Sequence, residues 1–171
     1  MATIVVPFRR DSGKTRLAPL PPEARAALAD AMLVDVLAAC SAVAPTRVAD
    51  SPSGQAAGVR DALAGLAGPV AVVNADLACA QPADVATLLA EAPALVAADD
   101  GTTNALSLLD AAEFRPLYGT GSAARFEAAG LRPRRLPSLA EDVDTLADLE
   151  RLADRVGPAT RAVLELLRVR A

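Results

Sequence analysis

Pro69-Val70-Ala71-Val72-Val73-Asn74-Ala75-Asp76 is the stretch that decides the fold. An unbroken apolar run rich in valine, with no polar alternation, reads as a central strand buried on both faces, spanning Pro69 to Asn74. Asp76 then lies just past the carboxyl end of that strand, and open α/β sheets bind their ligands in the crevice beyond such ends.

Working outward, Thr3 to Val6 reads as a buried first strand stopped by Pro7, Thr46 to Ala49 as a short strand, and Ala94 to Ala98 as another. Asp99-Asp100-Gly101-Thr102-Thr103-Asn104 reads as a polar turn, Ala105 to Leu109 as a strand, and Arg132 to Leu136 as a last one. Between them runs helical spacing. Leu28, Met32, Leu33, Val36, Leu37 and Cys40 share one face of a helix that opens at Pro22. Gln55 to Leu66, interrupted by Gly58, and Pro82 to Glu91 predict two more, and a short helix runs from Ser122 to near Gly130. Thr145, with Asp148 three residues on, forms a capping box for a helix to Arg155. Gly157-Pro158 stops it before a final amphipathic helix. Alternating strands and helices predict an α/β fold with a mainly parallel sheet, in one domain over residues 1–171.

The composition supports this: 171 residues, 53% hydrophobic, are enough for one core without a disulfide or metal staple. Cys40 and Cys79 lie in apolar surroundings at no zinc-binding spacing, and read as core thiols in a reducing compartment. No histidine occurs, which excludes Ser-His-Asp and Cys-His hydrolases and H-E-x-x-H metalloproteases. It also confines metal chemistry to oxygen ligands and hard ions such as Mg²⁺ or Mn²⁺. A net charge of −4, 2% aromatics and no Trp argue against a nucleic-acid surface. No run approaches the roughly 18 apolar residues of a membrane span. The opening residues are too short for a signal-peptide core, so a cytoplasmic location is expected. In the last helix, the apolar face of Val163, Leu164, Leu166 and Leu167 packs either on its own domain or on a second copy in a homodimer.

Three groups could carry chemistry. Arg9-Arg10-Asp11-Ser12-Gly13-Lys14-Thr15-Arg16 gathers cations in a glycine-containing loop after the first strand, a cradle for polyphosphate. Lys14 is the only lysine in the chain, and an ammonium is not interchangeable with a guanidinium in a tight phosphate loop. Gly13-Lys14-Thr15 is no Walker A motif, because Phe8 stands where its first glycine must be. The second group is Asp76 with Asp142 and Asp144: extended D-x-D aims both carboxylates to one side, as two ligands of a hard cation require. Asp144 could instead cap the next helix. The third is Gly119-Thr120-Gly121-Ser122 at a helix start, with Thr103 and Asn104, which reads as an anion nest or as an ordinary turn. Cations, a hard-metal site and an anion nest, with no histidine base, suit transfer of a nucleotidyl group to an acceptor that is already an anion.

Val6-Pro7-Phe8-Arg9-Arg10, Gly13-Lys14-Thr15-Arg16-Leu17, Ala31-Met32-Leu33-Val34-Asp35-Val36-Leu37, Ala75-Asp76-Leu77, Thr103-Asn104-Ala105-Leu106, Tyr118-Gly119-Thr120-Gly121-Ser122 and Asp142-Val143-Asp144-Thr145 follow one another in the chain. In this order they resemble the CofC-type guanylyltransferases of coenzyme F420 biosynthesis over nearly the whole length, and the plain Lys-Thr-Arg-Leu start is similar to archaeal members. The resemblance implies a three-layer α/β/α nucleotide-diphospho-sugar transferase fold of the glycosyltransferase-A, Rossmann-like kind with a mixed, mainly parallel sheet. It implies a reaction of GTP with 2-phospho-L-lactate, or phosphoenolpyruvate in some relatives, giving lactyl-2-diphospho-5′-guanosine and pyrophosphate. It also implies Mg²⁺ or Mn²⁺ on Asp76, Asp142 and Asp144, and phospho-acid contacts from Lys14 or the adjacent cations Arg9 and Arg16, and from Thr103, Asn104, Gly119 and Ser122. Where many members carry a lysine after the Val-Pro turn, this chain has Arg9, which keeps the charge. A relative that has lost catalysis but binds nucleotide as a scaffold, and a nucleotidyltransferase of the same fold with another acceptor, are the alternatives.

Overall fold

The computed structural model describes residues 1–9, 17, 19–50 and 53–169. Its elements run β1 (Thr3–Pro7), α1 (Pro22–Ser41), β2 (Thr46–Ala49), α2 (Gln55–Leu63), β3 (Val70–Val73), α3 (Pro82–Ala90), β4 (Ala94–Ala97), β5 (Thr103–Leu108), α4 (Ser122–Ala128), β6 (Arg132–Pro133), α5 (Pro137–Ala140), α6 (Leu146–Leu152) and α7 (Pro158–Val169). The strands form one mixed sheet in the order β2-β1-β3-β5-β4-β6. β1 pairs parallel with β2 and β3, and β4 with β6, whereas β5 runs antiparallel to both of its neighbours. All four residues of β3 are buried, as its uniformly apolar sequence requires.

Helices cover both faces. Ile4 and Val6 of β1 pack with Val36 of α1, Leu88 of α3 and Leu139 of α5 on one side. Val5, one residue out of phase with Ile4 and Val6, faces the other side and packs with Val59 of α2 and Phe126 of α4. A third, smaller core, which among the described residues includes no strand residue, joins Leu28 and Met32 of α1 to Ala78, Val143, Leu152 and Val156. Both cysteines are buried free thiols. Val163, Leu164 and Leu167 of α7 pack against the third core, so that part of the helix is covered by its own chain, while Leu166 is exposed. Among the described residues no helix is long and apolar enough to cross a membrane.

The structure corrects four local expectations. Thr103 and Asn104 are not turn residues but the start of β5. The Asn74 N–H donates to the Asn104 carbonyl at 3.0 Å, and the Asn74 side-chain amide to the Thr103 carbonyl at 3.1 Å, extending the pairing beyond the apolar run. The last strand shrinks to Arg132–Pro133, and Pro137 opens the short helix α5 where strand was expected to reach Leu136. That helix is tied to α3 by the Ser138 N–H donating to Asp84 and by the Gln81 N–H donating to the Ser138 hydroxyl. Finally, two helices end early: α2 at Leu63 instead of Leu66, and α6 at Leu152 instead of Arg155.

Candidate active site

β3 ends at Val73, and three residues later Asp76 stands at the sheet rim. The Asp76 carbonyl accepts the N–H of Val143 at 3.1 Å, which joins the two acidic loops through their backbones. Val143 is fully buried in the third core. In extended chain its neighbours must point the opposite way, so Asp142 and Asp144 emerge together. Carboxylate oxygens of Asp76, Asp142 and Asp144 lie within 4.8 Å of one another, and all three residues are half-buried. Thr145, not Asp144, caps α6: its hydroxyl accepts the Asp148 N–H while the Asp148 carboxylate accepts the Thr145 N–H at 2.8 Å. Glu141, next to Asp142, is held instead by Arg151 and by Arg155 at 2.6 Å.

Burial pushes the Asp142 carboxyl up to about 6, helped by the negative charges of Asp76 and Asp144 and opposed by the Asn104 amide. Like charges crowded in a partly dry site are stable when a cation neutralises them, and an all-oxygen donor set suits a hard divalent ion. The residues present therefore fit Mg²⁺ or Mn²⁺.

Next along β5, the hydroxyls of Thr103 and Ser122 lie 3.0 Å apart and are both buried, tying the start of the strand to the start of α4. The Ser122 N–H donates to the Gly119 carbonyl and the Ala123 N–H to the Gly101 carbonyl, so these two amides of the expected nest are engaged within the chain. Gly119 and Gly121 adopt φ of +111° and +69°, conformations that only glycine takes readily. Arg9 lies two residues beyond β1, at the same rim as Asp76 because β1 and β3 are parallel. Lys14 and Arg16 lie outside the described residues.

The sequence reading missed Arg125. Its guanidinium donates to the carbonyls of Leu117 at 2.9 Å, Tyr118 at 3.3 Å and Thr120 at 2.6 Å, clasping the glycine loop from the following helix. An arginine four residues after Gly121, one helical turn into α4, was the available signal. It also missed Asn74 and Gln55, whose amides meet at 2.7 Å beside Thr103.

The fold, with its mixed sheet, is shared with solved structures: a protein of Desulfovibrio desulfuricans G20 described as a nucleotide-diphospho-sugar transferase superposes with a TM-score of 0.76 over 98% of this chain and 95% of its own, at 17% identity. A protein from Mycobacterium sp. strain JC1 superposes with a TM-score of 0.53 over 95% and 98%. No protein-family model matches the chain. Among curated relatives, the phosphoenolpyruvate guanylyltransferase of Nocardia farcinica is 36% identical over 198 positions, covering 91% of this chain and 87% of that protein. The protein of that name from Geodermatophilus obscurus is 35% identical, with 95% and 93% covered. The 2-phospho-L-lactate guanylyltransferase of Natrialba magadii is 36% identical, with 60% of each chain covered. This chain belongs to the phosphoenolpyruvate/2-phospho-L-lactate guanylyltransferase family.

Proposed function

We propose that the protein transfers GMP from GTP to the phosphate of a three-carbon phospho-acid, phosphoenolpyruvate or 2-phospho-L-lactate, releasing pyrophosphate, as a step of coenzyme F420 biosynthesis. The observation that carries this reading is the convergence of Asp76, Asp142 and Asp144 at the rim where β3 ends and β5 begins. A divalent cation held there would draw charge from the triphosphate and stabilise the departing pyrophosphate. Arg9, with Lys14 and Arg16 further along the chain, supplies positive charge for the reacting phosphates. Thr103, Asn104, Gly119 and Ser122 frame the acceptor side. An acceptor phosphate oxygen attacks the α-phosphorus, a new P–O–P linkage forms, and the bond to the β-phosphate bridging oxygen breaks. The nucleophile is already an anion near neutral pH, so the chain needs to align it rather than deprotonate it, in keeping with the absence of histidine.

Between the two acceptors we favour phosphoenolpyruvate, the one in the names of the Nocardia farcinica and Geodermatophilus obscurus relatives. The test is pyrophosphate release from GTP and Mg²⁺ with phosphoenolpyruvate, 2-phospholactate or 3-phosphoglycerate. Release is expected with one or both of the first two, and Asp76→Asn abolishes it with the fold intact. No release with any three-carbon phospho-acid would favour a nucleotide-binding scaffold.

A further inference from the structure

Asp35 is a charged residue in the middle of α1, and it is only 6% exposed. Its two carboxylate oxygens accept the N–H groups of Ala159 and Thr160, at 2.9 and 2.8 Å, in the first turn of α7. These partners lie more than a hundred residues away along the chain. A carboxylate there satisfies two amides that the helix cannot and faces the positive end of its dipole. Gly157, directly before α7, is shaped by the same contact: a methyl group on it would stand 2.3 Å from Asp35 Cγ. The Gly157 N–H in turn donates to the Ala78 carbonyl at 2.8 Å, two residues beyond Asp76. Val156 shares the third core with Ala78 and with Val143, the residue between the other two aspartates.

We propose that Asp35 is a positioning residue for the acidic cluster, fixing the start of α7 so that Gly157 and Val156 hold the Asp76 loop in register with Asp142 and Asp144. The inference rests on the reading of those three aspartates as cation ligands. Two oxygens on two successive amides set both the rotation of α7 and its position along its axis. Asparagine at position 35 can accept one of these bonds but turns an N–H₂ toward the other donor, so the helix start must shift. The shift passes to the Asp76 loop through the Gly157–Ala78 hydrogen bond, without altering any ligand.

The test is Mn²⁺ binding to the intact protein without nucleotide, followed by the loss of the free-ion electron paramagnetic resonance signal, well below the melting temperature of each variant. Asp35→Asn is expected to raise the half-saturating Mn²⁺ concentration about tenfold, the usual size of an outer-sphere effect on a metal site. Apparent KM for GTP at saturating metal stays unchanged. A variant that melts earlier but binds Mn²⁺ as tightly as wild type overturns the proposal, because a merely structural aspartate would do that. If Asp35→Asn does not fold, Gly157→Ala displaces the same carboxylate from the other side. It is expected to weaken Mn²⁺ binding likewise, and unchanged affinity there overturns the proposal. Wild-type protein that holds no Mn²⁺ overturns the reading of the cluster itself, and this inference with it.

Discussion

Asp142 concentrates the electrostatic conflict of the site, because it is the aspartate whose carboxyl is pushed up to about 6 by burial and by Asp76 and Asp144. In the unfolded chain it titrates near the ordinary 3.8. Between these values the folded protein keeps a proton that the unfolded chain has lost, so this group's contribution to stability falls as pH rises through the window and is level above it. A cation bound to this cluster, as proposed, would displace that proton. Apparent Mg²⁺ affinity is therefore expected to be flat above pH 6 and to fall about tenfold per unit well below it, with proton uptake by the buffer on binding. Calorimetric Mg²⁺ titration in buffers of different ionisation enthalpy checks this, and an affinity that does not change below pH 6 would contradict it. The acidic residues were legible in the sequence, because a strand end and a D-x-D spacing are local signals. Asp35 and Arg125 were not legible, since one finds its partners across the fold and the other binds carbonyls whose direction only the glycine loop's backbone reveals.

At the scale of elements, α4 and the glycine loop before it behave as one unit: Arg125 gathers the loop carbonyls, and the Thr103–Ser122 pair fastens the unit to β5. Removing the guanidinium leaves the hydroxyl pair in place but releases three carbonyls. Arg125→Ala is accordingly expected to raise KM for the phospho-acid by roughly ten- to a hundredfold, the scale of misplacing a binding group, with KM for GTP little changed. Steady-state kinetics with each substrate varied in turn separates the two, and an equal rise in both would refute a role confined to the acceptor side. Helix α1, the capping box at Thr145 and the apolar runs of β1, β3 and β4 follow from periodicity and caps. The start of β5 does not, because Thr103 and Asn104 have the composition of a turn and become strand only by pairing with β3.

In the whole molecule, alternating strand and helix patterns were enough to give the α/β class and the central place of β3. The direction of β5 was also within reach, since the five residues between Ala97 and Thr103 are too few for a crossover and suit a hairpin. Strand order was not, because it depends on which helix covers which face. The third core was likewise hidden, as Val143 and Val156 look unremarkable in sequence and acquire meaning only where the two acidic loops meet the end of the chain.

That reversed strand has a kinetic consequence. Among the described strands, β4 and β5 alone can zip together across a tight bend, while the other pairings must first gather distant stretches of chain and bear the larger loss of loop entropy. The hairpin should thus nucleate the sheet. In pulse-labelled hydrogen exchange during refolding, amides of Ala94–Ala97 and Thr103–Leu108 are expected to gain protection ahead of those of Thr3–Pro7, and simultaneous protection of all strands would count against this order.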